Sequence, residues 1–413
     1  MLDPELIRTN PESVKLGVKA KGYDPAIVDE FLSVDRDYRN LLREVELLRA
    51  EAKKIAKAKN IEEGKKLKLE LEKLENKLRT LEEKRTSNLL SIPNLPLPDV
   101  KLGQSEEDNE IIKVVKTPRK FSFQPKDHLE LGMLTKTIDT ERAGKVSGSR
   151  FGYLLREGVL LEFGLVMLAM EVTREYGFIP VIPPVLIKTE MMKGMGYWEH
   201  GGSSEMYVLE RDNLVLVGTS EQSIGPMHQG EVFKKEDLPK RYLGFSSCFR
   251  REAGSYGKDT RGIFRVHQFD KVEMFSFAEP SNADREHELI LSIEEKLFGM
   301  LEIPYRVVKM CTADLGFPTA RKYDLEAFIP SQNRYREVTS ASTTTDFQAR
   351  RLGIKFRDES GKAQYLHMLN GTAFAIGRTI IAIYENYQNQ DGSITVPEVL
   401  RKYVGFEVIP KRE

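Results

Sequence analysis

The chain has 413 residues, which at roughly 100–200 per domain allows two or three domains, and 40% hydrophobic residues supply a sizeable core. Sixty-three basic residues balance 63 acidic ones, so no overall positive field draws nucleic acid, and any such contact must rest on a local patch. Two isolated cysteines, Cys248 and Cys311, and six histidines without HxH or HxxxH spacing argue against a disulfide framework, a cysteine zinc site and a histidine metal site.

The first residues carry no basic segment followed by an apolar run, so they do not read as a secretory signal. From Phe31 apolar residues recur at Val34, Tyr38, Leu41, Val45, Leu48, Ala52 and Ile55, with steps alternating between three and four. That is a heptad seam. A second seam runs through Leu67, Leu71, Leu74, Leu78 and Leu81. Between them lie residues 59–64, with Asn60 and Gly64 as the expected turn residues. Two helices around one short break predict an antiparallel coiled-coil hairpin over about residues 27–90. At 1.5 Å per residue, roughly 30 residues extend about 45 Å, so the arm is expected to project.

Charge on this arm is uneven. Residues 53–68 hold seven lysines (Lys53, Lys54, Lys57, Lys59, Lys65, Lys66 and Lys68) against two glutamates. This excess equals that of the whole stretch 36–85, which has 16 basic and 11 acidic residues. Such a tip is either a solvated helix end or a surface for a phosphate backbone, which lysines meet with little sequence reading. The proline-rich run SIPNLPLP at 91–98 ends the second helix and reads as a semi-rigid linker. The expected domains are 1–100 and 101–413.

Beyond residue 150 the texture is mixed. Residues 152–176 are predicted helical, although the apolar run 158–170 is broken by Glu162 and is too short to span a bilayer. Short strands are predicted at 178–187, 206–209, 214–218, 242–252 and 266–277, which suggests a largely antiparallel sheet and an α+β fold. Alternation puts Arg250 and Glu252 on one face of the first long strand and Arg251 on the other. On the second, Arg265, His267, Phe269, Lys271 and Glu273 share a face. Cross-strand ion pairing explains such a face as readily as a ligand does. The connecting residues 253–264 tip the balance. They are more than a hairpin needs, and they contain three glycines with Lys258 and Arg261. Later, Arg378 stands in an apolar helical stretch at 373–383, as a buried ion pair or a ligand contact. Glu337 and Ser340 offer two oxygens three residues apart, for a Mg²⁺ ion or for capping.

The order of these segments carries a resemblance. Phe249-Arg250-Arg251-Glu252, the loop, and RVHQF at 265–269 match motif 2 of the class II aminoacyl-tRNA synthetases. GFIPVIPP at 177–184 resembles motif 1, and NGTAFAIGR at 370–378 resembles motif 3. The hairpin, the linker and KVSGSRF at 145–151 are similar to the serine–tRNA ligase family in particular, so the resemblance covers residues 1–409. Three ordered motifs plus the arm are far more specific than one short motif.

The resemblance implies an N-terminal tRNA-binding domain and a catalytic domain on a mainly antiparallel sheet flanked by helices. It implies ATP-dependent attachment of L-serine to tRNA(Ser), and to tRNA(Sec), through a seryl-adenylate, by a cytoplasmic homodimer. Arg250 and Arg378 become the catalytic arginines. The ATP site comprises Arg250, Arg251, Glu252, Arg265, Val266, Phe269, Glu337, Val338, Thr339, Ser340 and Arg378, with Mg²⁺ on Glu337 and Ser340 and no zinc. Serine falls to Thr219, Ser220, Glu221, Arg250, Glu273 and Thr372, and the tRNA to the tip lysines. Departures from the family pattern are small: Arg251 stands where serine is common, Thr372-Ala373 replaces a frequent Ser-Gly, and residues 342–346 lack a common cysteine. Relatives that load an amino acid onto a carrier protein lack the arm that residues 27–90 supply here. A non-catalytic regulator would be expected to have lost some of the ATP residues.

Overall fold

The computed structural model describes residues 1–58, 60–253 and 261–413. The chain forms two compact units, Met1–Leu95 and Pro96–Glu413.

The first unit is helical: α1 (Pro4–Thr9), α2 (Pro11–Ala20), α3 (Ala26–Ala58) and α4 (Ile61–Ser91). Asp3 caps α1 by accepting from the Glu5 N–H at 2.8 Å, and Pro4 suits a first turn that needs no amide donor. The long helices pair along the expected heptads. Leu41, Val45 and Leu78 form a buried cluster, joined by Tyr38, Leu42, Leu71, Leu74 and Leu81. Arg49 bridges to Glu75 across the pair at 2.8 Å. Gly64 is not a turn residue. It lies in the first turn of α4, because Asn60 caps the helix through the Glu63 N–H and Glu62 and Glu63 complement the helix dipole. At the other end of the pair Asp35 is almost fully buried on α3, 2.6 Å from Arg85 and 3.3 Å from Arg8.

The second unit is built on eight strands: β1 (Glu110–Val115), β2 (Ile179–Val181), β3 (Lys240–Phe249), β4 (Gln268–Ala278), β5 (Tyr305–Lys309), β6 (Arg321–Ile329), β7 (Arg334–Thr343) and β8 (His367–Ala375). Their order is β1-β5-β6-β7-β8-β4-β3-β2, antiparallel except for the parallel β3–β2 pair. This is the expected mainly antiparallel sheet with helices. Helices α5 (Glu157–Arg174), α6 (Ala283–Met300) and α7 (Ile376–Asn386) share one apolar core with it, including Leu161, Leu165, Ile290, Leu297, Ile380, Val272 and Met274. A one-residue slip of β4 would bring Lys271 and Glu273 into that core, so burial of its neighbours fixes the register.

Several predicted boundaries shift, among them those of the strands expected at 242–252 and 266–277, which run instead from Lys240 to Phe249 and from Gln268 to Ala278 and so exclude Arg250, Glu252, Arg265 and His267. The helix predicted at 152–176 begins only at Glu157, because Tyr153–Leu154 pairs with Ile138–Asp139 as a short strand. The strand predicted at 178–187 is two strands, Ile179–Val181 and Leu186–Lys188, parted by Pro183 and Pro184, which have no N–H to give a ladder. Residues 373–375 belong to β8, and the helix carrying Arg378 starts at Ile376.

Asp35→Ala would strand Arg8 and Arg85 at the base of the helical pair. It is expected to cost about 3 kcal/mol, the scale for removing one partner of a buried ion pair. Urea unfolding followed by helical circular dichroism measures it, and an unchanged midpoint would show the pair to be idle.

Candidate active site

The site is a cleft on the sheet, bordered at one end by the start of α7 through Gly377 and Arg378. Its floor is β4, where alternation brings Phe269, Lys271 and Glu273 to the cleft while Val272 and Met274 enter the core. Glu273 lies opposite Gly244 of β3 on one side and Thr372 of β8 on the other. The second pairing depends on a bulge: Val272 pairs with Phe374 but Glu273 with Thr372, so Ala373 is the extra residue. Gly244 is required by close approach, since a Cβ there would come within 2.8 Å of the Ser220 hydroxyl oxygen.

At one end the cleft is lined by Arg250, Glu252, Phe264, Arg265, Val266, Phe269, Gly377 and Arg378, with Glu337 to Ser340 along β7. Arg250 lies over the Phe269 ring at 5.3 Å and is steadied by its Nε donating to the Gly218 carbonyl at 3.1 Å. Strand β3 ends at Phe249, and Glu252 turns into the left-handed region with φ 51°. It meets Arg265 there at 3.2 Å. Arg378 sits 5.0 Å above the Phe264 ring and 3.2 Å from the Glu337 carboxylate. Arg378 is thus ion-paired, though the pair is part-exposed rather than buried, and it lines the cleft.

Glu337 and Ser340 share a face for a reason periodicity hides. Three residues apart on a regular strand, they would point to opposite sides. Here Glu326 pairs with Glu337 and Leu325 with Thr339, so Val338 is an extra residue, and Glu337 and Ser340 both reach the cleft. Desolvation opposes charge on Glu337, yet Arg378, Lys322 and Arg250 more than offset it and hold the carboxyl at about 2. Among the described residues no three His, Cys, Asp or Glu side chains form a metal-binding cluster. An ionised carboxylate and a hydroxyl still fit Mg²⁺, which commonly takes one or two carboxylates and completes its shell with water and phosphate oxygens.

The other end of the cleft is lined by Thr219, Glu221, Arg250, Lys271 and Glu273, with Tyr197, Lys322, Ser342 and Asn370. Glu221 is buried and bound by neutral donors. The Tyr197 hydroxyl is 2.9 Å from both its oxygens, and the Gln348 amide donates at 3.2 Å. Burial, and then the charge of Glu273, push its carboxyl up to about 7. Glu273 has a cation of its own: Lys271 Nζ lies 2.5 Å away and also donates to the Thr219 hydroxyl at 3.1 Å.

The structure thus gathers around one cleft Arg250, Glu252, Arg265, Val266, Phe269, Glu337, Val338, Thr339, Ser340, Arg378, Thr219, Glu221, Glu273 and Thr372. Two residues of the sequence-based site are not in its wall. Arg251 turns away, its guanidinium over Tyr207 at 5.7 Å and its N–H on the Glu205 carbonyl. Ser220 is fully buried against Gly244, behind the surface that Thr219 and Glu221 present. Lys53, Lys54, Lys57, Lys65, Lys66 and Lys68 are exposed near the α3–α4 connection, whereas Lys59 and Lys258 lie outside the described residues. Sequence reasoning gave no role to Lys271, although alternation already placed it between Phe269 and Glu273. Tyr197, Gln348 and Lys322 come from distant segments, and no local pattern announces them.

Residues 1–96 match the seryl-tRNA synthetase N-terminal domain, and residues 207–387 the class II tRNA synthetase core domain for Gly, His, Pro, Ser and Thr. The chain is similar to the serine–tRNA ligase of Thermobifida fusca, 46% identical over 99% of both chains. The chain belongs to the serine–tRNA ligase family. The serine–tRNA ligase of Acidothermus cellulolyticus is 47% identical over the full length of both. Among solved structures, the seryl-tRNA synthetase of Pyrococcus horikoshii complexed with ATP matches with a TM-score of 0.94 and 40% identity, over 100% of each chain.

Carboxyl ¹³C NMR should show a glutamate titrating near pH 7, far above an ordinary carboxyl, and Glu221→Gln should abolish it. Should the signal lost in that variant titrate near 4, the burial argument for Glu221 would be wrong.

Proposed function

We propose that this chain activates L-serine with ATP and transfers it to tRNA(Ser) and tRNA(Sec), in two steps through a seryl-adenylate. The observation that carries this reading is a single cleft with arginines over aromatic rings at one end and two buried carboxylates at the other. In the first step the serine carboxylate attacks the α-phosphate and pyrophosphate leaves. Two anions must meet, so the site has to neutralise charge ahead of the reaction. Arg250 lines both ends of the cleft and is suited to hold the serine carboxylate and the α-phosphate together, since its fork binds oxygens bidentately. Phe269 stacks on the adenine, Glu252 meets its edge, and Arg265 and Arg378 take the terminal phosphates. Mg²⁺, held by Glu337 and Ser340, supplies further neutralisation of those phosphates when bound. In the second step the tRNA 3′ end attacks the seryl carbonyl and AMP leaves.

At the other end Glu221 binds the serine ammonium, whose charge restores a carboxylate that burial disfavours. Glu273 and Thr372 meet the hydroxyl. A pocket built to hydrogen-bond a hydroxyl rejects the analogue without one, because its buried polar groups are left unpaired. The exposed lysines near the α3–α4 connection contact tRNA phosphates. Leu160, Phe163 and Met167 form an exposed apolar row on α5, and Ile179 and Ile182 lie in the motif 1 segment. These surfaces support assembly as a homodimer. Among the described residues no helix is long and apolar enough to cross a membrane, in keeping with a cytoplasmic enzyme.

Serine-dependent ATP–pyrophosphate exchange tests the reading. The chain should exchange with serine and not with alanine, and Glu273→Ala should lose at least about 100-fold in kcat/KM, the scale for an unpaired buried polar group. Normal serine exchange by that variant would refute the assignment.

Deleting residues 30–88 should leave serine activation intact and abolish tRNA charging. Neutralising the tip lysines should flatten the salt dependence of tRNA binding. Undiminished charging without the arm would remove its role.

A further inference from the structure

The amino-acid end of the cleft holds two buried carboxylates, Glu221 and Glu273, and either could in principle take a substrate ammonium. What differs is their pairing. Glu273 already has Lys271 at 2.5 Å. Glu221 is hydrogen-bonded by Tyr197 and Gln348, both neutral; among the described residues no cation forms a salt bridge with it, and Lys271 reaches it only as a more distant charge. Lys271 is itself fixed, being buried and anchored to the Thr219 hydroxyl at 3.1 Å.

We propose that Lys271 is a positioning residue that sorts the two polar ends of the substrate, reserving Glu273 for a neutral hydroxyl and leaving Glu221 as the one of the two carboxylates that still needs a cation. The inference rests on the reading of this cleft as an amino-acid activation site. A substrate ammonium brought to Glu273 would meet Lys271 as a like charge, whereas a hydroxyl donates to the carboxylate without that repulsion. Turned the wrong way, serine would carry its carboxylate away from Arg250. The same logic sets selectivity toward a side chain isosteric with serine: L-2,3-diaminopropionate, in which an ammonium replaces the hydroxyl, is rejected by the charge of Lys271 rather than by size.

The test is competition of L-2,3-diaminopropionate with serine in ATP–pyrophosphate exchange. It compares the wild type, Lys271→Met, Lys271→Arg and the double variant Lys271→Met/Glu273→Gln. The diamino analogue should compete poorly with serine in the wild type. In Lys271→Met its inhibition constant relative to the serine KM should fall at least about tenfold, equivalent to roughly 1.4 kcal/mol. Its side-chain ammonium then replaces the missing lysine beside Glu273. Lys271→Arg should keep the rejection, and the double variant should lose the gain. A purely structural role would lower activity with both amino acids and leave the ratio unmoved. The proposal is overturned by an unchanged ratio in Lys271→Met or by a gain that survives in the double variant. Should Lys271→Met fail to fold, wild type that binds the diamino analogue as tightly as serine would overturn it alone. Absence of serine exchange by the wild type would instead count against the activation reading itself.

Discussion

A carboxylate taken out of water must find a positive partner or a proton, and the cleft is organised by how that demand is met. Glu337, which keeps part of its side chain in water, is met by Arg378, Lys322 and Arg250 and is held well below the ordinary range. Glu273 is met by Lys271. Glu221 is left to neutral donors and shifts up to about 7. These three solutions divide the site by chemistry. On the proposed reading, the cation-rich end takes phosphates, the carboxylate paired with Lys271 takes a hydroxyl, and the carboxylate without a salt-bridge partner takes an ammonium. Arg250 lines both ends, which is where the proposed reading has the two substrate anions meet.

The sheet supplies the geometry for this division. Alternation along β4 separates the apolar residues that hold the core from the polar ones that face the cleft. Two bulges correct the alternation where the chemistry requires it. One at Val338 brings Glu337 and Ser340 to the same side, and one at Ala373 sets Thr372 beside Glu273. Gly244 lets β3 lie close to the turn carrying Thr219, Ser220 and Glu221. The site thus sits on strands anchored by a packed core, which is how small displacements of reacting groups are prevented.

Much of this was legible in the sequence because it repeats. The heptads announced the helical pair, and period-two alternation announced the face of β4 that carries Phe269, Lys271 and Glu273, whereas Arg251 turns outward beyond the end of β3 and His267, before the start of β4, does not line the cleft. Motif order announced the family. What escaped has no period. A bulge is one extra residue, invisible until a partner strand is present to count against. Gln348 and Tyr197 reach Glu221 across 127 and 24 residues of chain. Lys271 was visible on the right face, but a lysine between two ligand residues reads as an ordinary exposed cation until its burial and its partners are known. Ser220 differs in the opposite sense: between Thr219 and Glu221, its side chain is buried against Gly244.

The account's central claim is that charge pairing alone orients the amino acid. A crystal structure with a non-hydrolysable seryl-adenylate analogue tests it most directly. The account expects the ammonium within hydrogen-bond distance of Glu221, the hydroxyl on Glu273, and Lys271 still paired with Glu273. An ammonium seated on Glu273, or Lys271 swung away to leave that carboxylate alone, would contradict it.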